Sequence, residues 1–228
     1  MSFEPDASPV NPLPSVVIAL VVFIFGIELV FQAGNAGLIG GPQATGWRIA
    51  ALEQYGFYEP LFNWMVENRQ IRWDFVMRFV TYPFLHGSFL DAVFALVFIL
   101  ALGKMVGDVF SGWAVLVIFF ASSIVGALAY GLVWDTRVVL FGAFPAAYGF
   151  IGAFSFLLWV RLAGSGENRM QAFSLIGILM GLQLVWGMLF GGNPTWVAKL
   201  AGFATGFGLS FLLAPGGWQH VLAALRRR

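Results

Sequence analysis

Six long apolar runs separated by short polar breaks constrain this chain more than any other feature. They read as Pro14 to about Phe31, Pro83 to Val106, Ser111 to Trp134, Val138 to Leu162, Met170 to Phe190 and Thr195 to Leu213. Each is close to the ~20 residues that a helix needs to cross a ~30 Å hydrocarbon core. Within a bilayer only helices and closed barrels satisfy their own backbone hydrogen bonds, and continuous apolar runs favour helices. The chain is 60% hydrophobic and 10% charged, against about 25% charged for soluble domains. An all-α polytopic membrane protein is predicted, with no soluble domain.

The predicted organisation is a flexible tail over 1–13, a membrane domain over 14–213 and a basic tail over 214–228. Glu4 and Asp6 stand where a signal peptide has basic residues, so the first run is read as a retained span. An even number of spans puts both termini on one side. Lys104, Arg161, Arg169 and Arg226-Arg227-Arg228 then share that side, which predicts N-in, C-in. A net charge of +1 gives no case for nucleic-acid binding. The absence of cysteine excludes disulfides, thiolate metal sites and a cysteine nucleophile. Two histidines argue against a multi-histidine metal or haem site, and no cofactor is expected.

Asn35 to Thr81 is too long for a turn. It mixes Arg48, Glu53, Glu59, Glu67, Arg69, Arg72, Asp74 and Arg78 with Trp47, Tyr55, Tyr58, Trp64 and Trp73. That mixture suits the headgroup zone, so short interfacial helices are expected. Glu28, near the far end of the first run, is read mainly as an interfacial carboxylate. The alternative is a buried partner for a cation elsewhere, because ionisable groups at membrane depth are costly and normally paired.

Glycines concentrate in two places: Gly142-Ala143-Phe144-Pro145-Ala146-Ala147-Tyr148-Gly149-Phe150-Ile151-Gly152, and Gly202-Phe203-Ala204-Thr205-Gly206. A helical glycine costs roughly 1 kcal/mol against alanine. In a membrane the usual return is close approach of another backbone. Gly142, Gly149, Gly152, Gly202 and Gly206 are therefore the predicted packing seam.

Three stretches, in order, carry a family resemblance. Arg78-Phe79-Val80-Thr81-Tyr82-Pro83-Phe84-Leu85-His86-Gly87-Ser88 resembles the Arg-x-x-Thr-x-x-Phe-x-His-x-x segment of rhomboid intramembrane proteases. Gly142 to Gly149 is similar to their Gly-x-Ser-Gly-x-x-x-Gly motif, and Lys199 to Gly206 to their His-x-x-Gly-x-x-x-Gly motif. The resemblance implies a rhomboid-like six-transmembrane-helix bundle with a long interfacial first loop. It also implies which positions carry chemistry in the active relatives. The nucleophile serine is replaced by Phe144 and the glycine after it by Pro145. The histidine is replaced by Lys199, and the oxyanion-binding histidine and asparagine by Asp91 and Ala95. An active member needs a hydroxyl, a neutral imidazole and donors to an oxyanion. With these positions changed, a catalytically inactive pseudoprotease is expected.

Each replacement carries a structural reading. Phe144 is expected to fill the cavity that active enzymes keep, or to grip a client helix. Pro145 is expected to kink the helix start and to remove one N–H. Asp91 and Lys199 form the candidate intramembrane ion pair, direct or through water, with Glu28 as a third partner. The alternative is that Lys199 snorkels to the interface. Ser88, Ser122 and Ser123 are hydroxyls for a residual Ser-Lys site, a reading we disfavour. His86 and Arg78 are read as structural loop residues. His86 is expected to bond the loop to the second span, and Arg78 to satisfy carbonyls or carboxylates.

By resemblance to inactive relatives, the expected partners are transmembrane segments of other membrane proteins and the lipid bilayer. Val93, Val97, Met180 and Trp186 are the candidate contacts. The expected role is assembly, stability or quality control in a bacterial cytoplasmic membrane. The alternatives are a permanent accessory subunit of a larger respiratory or photosynthetic complex, a residual protease, and, least favoured, a small transporter using Asp91 and Lys199.

Overall fold

A computed structural model of the chain describes residues 12–133, 135, 137–190 and 194–214. Most of both predicted tails, residues 1–11 and 215–228, lies outside the described residues. Helix α1 (Ser15–Asn35) leads into a long loop holding α2 (Trp47–Tyr55), α3 (Glu59–Asn68), α4 (Trp73–Val76) and α5 (Arg78–Thr81). The bundle continues with α6 (Phe89–Gly107), α7 (Gly112–Val133), α8 (Phe144–Ser165), α9 (Ser174–Phe190) and α10 (Trp196–Leu213). Among the described residues the only extended pairing is an antiparallel bridge between Phe57 and Leu140.

Five helices, α1, α6, α7, α8 and α10, are long and apolar enough to cross a membrane. The fifth predicted span is shorter than the sequence suggests. Helix α9 has 17 residues, the lower limit for a span. The start of that apolar run, through Phe173, winds instead as a 3-10 turn, which Asn168 caps by accepting the Met170 N–H at 3.0 Å.

Helix α8 is the centre of the bundle and the most buried of the five. Its first three turns carry five buried small residues, Ala146, Ala147, Gly149, Gly152 and Ala153, among larger ones. Small residues on several faces let α10, α7 and α6 approach together. Helix α1 packs on α6, with Val17, Leu20, Ile24, Glu28 and Phe31 buried. Their spacing of three or four residues is one helix face.

The long loop folds into short helices, as its composition suggests, and has its own core. Phe57, Tyr82, Ala127, Tyr130, Leu140 and Ala198 are buried together, with Phe62 and Phe79 against them. Phe57 meets Phe79 edge-on at 4.8 Å, a favourable aromatic geometry. The Tyr82 hydroxyl donates to the Ser123 carbonyl at 2.8 Å, fixing the loop to α7.

Two predicted span starts move. The second span begins at Phe89 rather than Pro83, because Ser88 caps it. The fourth begins at Phe144 rather than Val138. Residues 138–143 run as a non-helical segment bridged to Phe57, with N–H to carbonyl distances of 2.9 and 2.8 Å.

Candidate functional site

The site begins with the turn into α8. The Gly142 N–H donates to the Tyr82 carbonyl at 3.1 Å, and Gly142 has φ +90°. That conformation is strained for a residue with a Cβ. Gly142 is therefore a turn glycine and not part of the predicted helix seam. Helix α8 then starts at Phe144, which places Pro145 in its first turn. There the missing N–H has no intrahelical acceptor to lose. Pro145 starts the helix cleanly and does not kink it.

Of the other four predicted seam glycines, Gly152, Gly202 and Gly206 face the backbone of the neighbouring helix. A Cβ at Gly202 would strike the Pro145 carbonyl, one at Gly206 the Gly149 carbonyl and one at Gly152 the Phe203 carbonyl. A Cβ at Gly149 would meet the Ser122 side chain of α7. Gly126 of α7 adds a contact the sequence reading missed, lying against Pro145 and the Ala198 carbonyl. This three-helix crossing fixes where the first turns of α8 and α10 stand relative to each other.

As a result Lys199 faces Phe144. Its Nζ lies 5.3 Å from the Phe144 ring centre and 6.0 Å from that of Tyr148, within cation–π range. It also donates to Gln183 Oε1 of α9 at 3.4 Å. These contacts hold Lys199 inward rather than snorkelling. Phe144 does not fill the space beside it. A cavity of about 330 Å³ remains, with Asp91, Phe141, Phe144, Pro145, Thr195 and Lys199 among its lining. Ala95 is fully buried in the apolar core.

Asp91 and Lys199 both border this cavity but make no ion pair within 4.0 Å among the described residues. Asp91 has a local role. It is the third residue of α6, and its N–H donates to Ser88 Oγ at 3.1 Å while its carboxylate accepts the Gly87 N–H at 3.2 Å. This is close to a capping box, and an acidic group there also suits the helix dipole. The signal was in the sequence as Ser88-Phe89-Leu90-Asp91, a Ser-x-x-Asp pattern before an apolar run.

Glu28 takes the alternative reading, a buried partner for a cation elsewhere, rather than that of an interfacial carboxylate or a third partner of Asp91 and Lys199. It is buried and bound by Arg48 of α2 through two bonds, NH2 to Oε1 at 2.6 Å and NH1 to Oε2 at 2.9 Å. Gln32 adds a third at 2.8 Å. Arg48 NH1 also donates to the His86 carbonyl at 2.7 Å, and its guanidinium lies 5.0 Å from the Phe31 ring centre. Arg48 is the principal residue that sequence reasoning missed.

His86 is buried, and it bonds the loop to the approach of α8 rather than to the second span. Its Nε2 accepts the Ala143 N–H at 3.3 Å. One chain of contacts therefore runs from Glu28 through Arg48 and His86 to the residue before Phe144. Burial pushes the His86 imidazole below its ordinary value; Asp91 and Glu28 act upward, and Arg48 adds to the downward push. With its folded pKa lowered, protonation favours the unfolded chain. The stabilisation is complete above about pH 6.5 and is lost as the pH falls below it. Thermal unfolding in mild detergent is expected to shift to lower temperature between about pH 6.5 and 5. His86→Gln should flatten that dependence; an unchanged slope would refute the assignment.

Arg78 NH1 donates to the Glu53 and Gly56 carbonyls, both at 2.9 Å, and Thr81 Oγ1 to the Tyr55 carbonyl at 2.8 Å. The three serines weighed for a residual site lie in other contacts. Ser88 caps α6, Ser123 donates to the Phe119 carbonyl at 2.8 Å, and Ser122 is buried beneath Gly149. Of the candidate client contacts, Val97 is exposed, Val93 is half-buried and Met180 packs on the core. The Trp186 side chain lies outside the described residues. No group of three or more metal-ligating side chains occurs among the described residues.

No curated protein matches the chain. The Rhomboid domain family matches residues 74–216, a stretch that runs from the end of the long loop through α10 and contains all three motifs. By that match, and with the second and third motifs bordering one cavity through Phe144, Pro145 and Lys199, the chain belongs to the rhomboid family.

Proposed function

We propose that this rhomboid-family protein is catalytically inactive and works by binding transmembrane helices of partner proteins, in assembly, stability or quality control. The observation that carries the reading is the pairing at the head of the α8–α10 crossing. A benzyl ring and an ammonium group face each other there, 5.3 Å apart, at the two positions that the family motifs assign to nucleophile and base. A benzyl group offers no nucleophile, and a lysine held over its ring has no hydroxyl there to activate. Pro145 supplies no N–H to a developing oxyanion, and Asp91 sets a carboxylate at the cavity wall, against the charge a transition state would develop.

The small-residue seam is already closed by α8 and α10 on each other, so it is not the docking surface. Lipid-facing residues remain on α6, with Phe94 and Val97 exposed, and on α9, with Ile178, Leu182 and Met188 exposed. A client helix is proposed to lie against these faces, held by van der Waals packing rather than by a catalytic cleft. The proposed location is a bacterial cytoplasmic membrane with both termini inside, supported by Lys104 and Arg161 at the helix ends away from the long loop.

Purified protein is expected to take up no serine-directed fluorophosphonate and to leave a model transmembrane substrate intact. Labelling that disappears on changing Ser88, Ser122 or Ser123 would overturn inactivity. Combining Phe144→Ser, Pro145→Gly and Lys199→His is expected to give little activity unless Asp91→His and Ala95→Asn are added.

A further inference from the structure

We infer that the end of the bundle opposite the long loop carries a binding site for one anionic phospholipid, in the groove between α6 and α8. The inference does not depend on whether the protein is a protease.

The groove has a volume of about 380 Å³ and is lined by Met105 and Asp108 at the end of α6 and by Phe154, Leu157, Leu158 and Arg161 of α8. On α8 these residues recur at steps of three, one and three, which is a single helix stripe. From Phe154 to Arg161 the stripe rises about 10 Å. Its inner part is apolar and half-buried, while Arg161 at its outer end is exposed. An apolar trough inside two spans, ending in a cation near the helix ends, has the polarity of a phospholipid: acyl chain inward, phosphate outward.

The charges say which phospholipid. Asp108 is already neutralised by Lys104, with Nζ to Oδ2 at 3.1 Å. Arg161 has no hydrogen-bond, ion-pair or ring partner among the described residues. Arg161 is thus the cation that lines the groove. A guanidinium binds phosphate oxygens through two parallel N–H bonds, and basic sites between spans favour anionic headgroups. Two helix C-termini converge here, and their partial negative charge disfavours an anion. Selectivity for an anionic lipid thus rests on Arg161.

The test is native mass spectrometry of the full chain in neutral detergent, with phosphatidylglycerol or phosphatidylcholine of identical acyl chains. One phosphatidylglycerol should be retained at concentrations at least ten-fold below those needed for phosphatidylcholine. Arg161→Gln should abolish that preference, and Arg161→Lys should retain part of it. Leu158→Trp, which fills the trough while keeping the charge, should weaken phosphatidylglycerol retention at least ten-fold. If Arg161→Gln does not fold, the Leu158→Trp and Arg161→Lys results decide. Equal retention of the two lipids, an unaltered preference in Arg161→Gln, or undiminished binding in Leu158→Trp would overturn the site. Loss of the preference in millimolar inorganic phosphate would show a free-anion site instead and equally overturn it.

Discussion

Arg48→Ala is expected to destabilise the protein by about 3–5 kcal/mol, the usual cost of leaving one member of a buried ion pair unpartnered. Glu28 is 2% exposed and Arg48 11%, so solvent cannot replace the lost charge. The loss should exceed that of a simple truncation for a second reason. Arg48 also holds the His86 carbonyl, and His86 in turn receives the Ala143 N–H at the approach of α8. Unfolding in mixed micelles, read by tryptophan fluorescence, provides the measurement. Glu28→Leu combined with Arg48→Met should cost less than Arg48→Ala alone, because no buried charge is then left without a partner. A loss below about 1 kcal/mol in Arg48→Ala would show that the pair is dispensable; the expectation for a buried pair is several times larger.

The second large effect is expected in the seam. Gly202→Val and Gly206→Val should each cost about 3 kcal/mol or more, the upper end of overpacking. The obstacle in both cases is a backbone carbonyl, of Pro145 and of Gly149 respectively. A carbonyl within a helix cannot swing aside as a side chain can, so α8 and α10 must separate. Gly208 lies in the same helix with open space where its Cβ would be. Gly208→Ala should be neutral or stabilising by up to ~1 kcal/mol, from helix propensity alone. Comparable melting of Gly206→Val and Gly208→Ala in detergent would refute the seam.

These two predictions differ in how far the sequence foretold them. The seam was legible because glycines three or four residues apart in two apolar runs have few uses in a membrane other than close packing. Its one misassignment, Gly142, came from placing a span start six residues early; a positive φ has no signature that separates a turn glycine from a seam glycine. The Glu28–Arg48 pair was not legible as a pair. Its members are 20 residues apart, and the path of the intervening loop decides whether they meet. The burial of Glu28 did leave a trace, since it falls on the Val17, Leu20, Ile24, Phe31 stripe that faces inward.

The cavity shows the same division. The resemblance put Phe144 and Lys199 at the positions of nucleophile and base, and the structure sets them 5.3 Å apart. Phe144 was expected to fill the space and instead lines it, because packing at the α8–α10 crossing sets how far the ring can enter. Asp91 was expected to reach toward Lys199, yet its nearest demand is local. The Gly87 N–H, four residues away at the helix start, donates to the carboxylate at little entropic cost, whereas a distant ammonium must be brought to it.

The identity of the site residues came from the resemblance to the rhomboid motifs; the membrane class, the order of the helices and the packing seam were determined by apolar length and glycine spacing. Both are local properties, fixed by helix rise and by the hydrocarbon's intolerance of bare backbone. Only the tertiary structure decided which charges are partnered, where α8 begins and how much of the cavity stays open. Those outcomes depend on distances between segments remote in sequence, which loop paths and backbone contacts set.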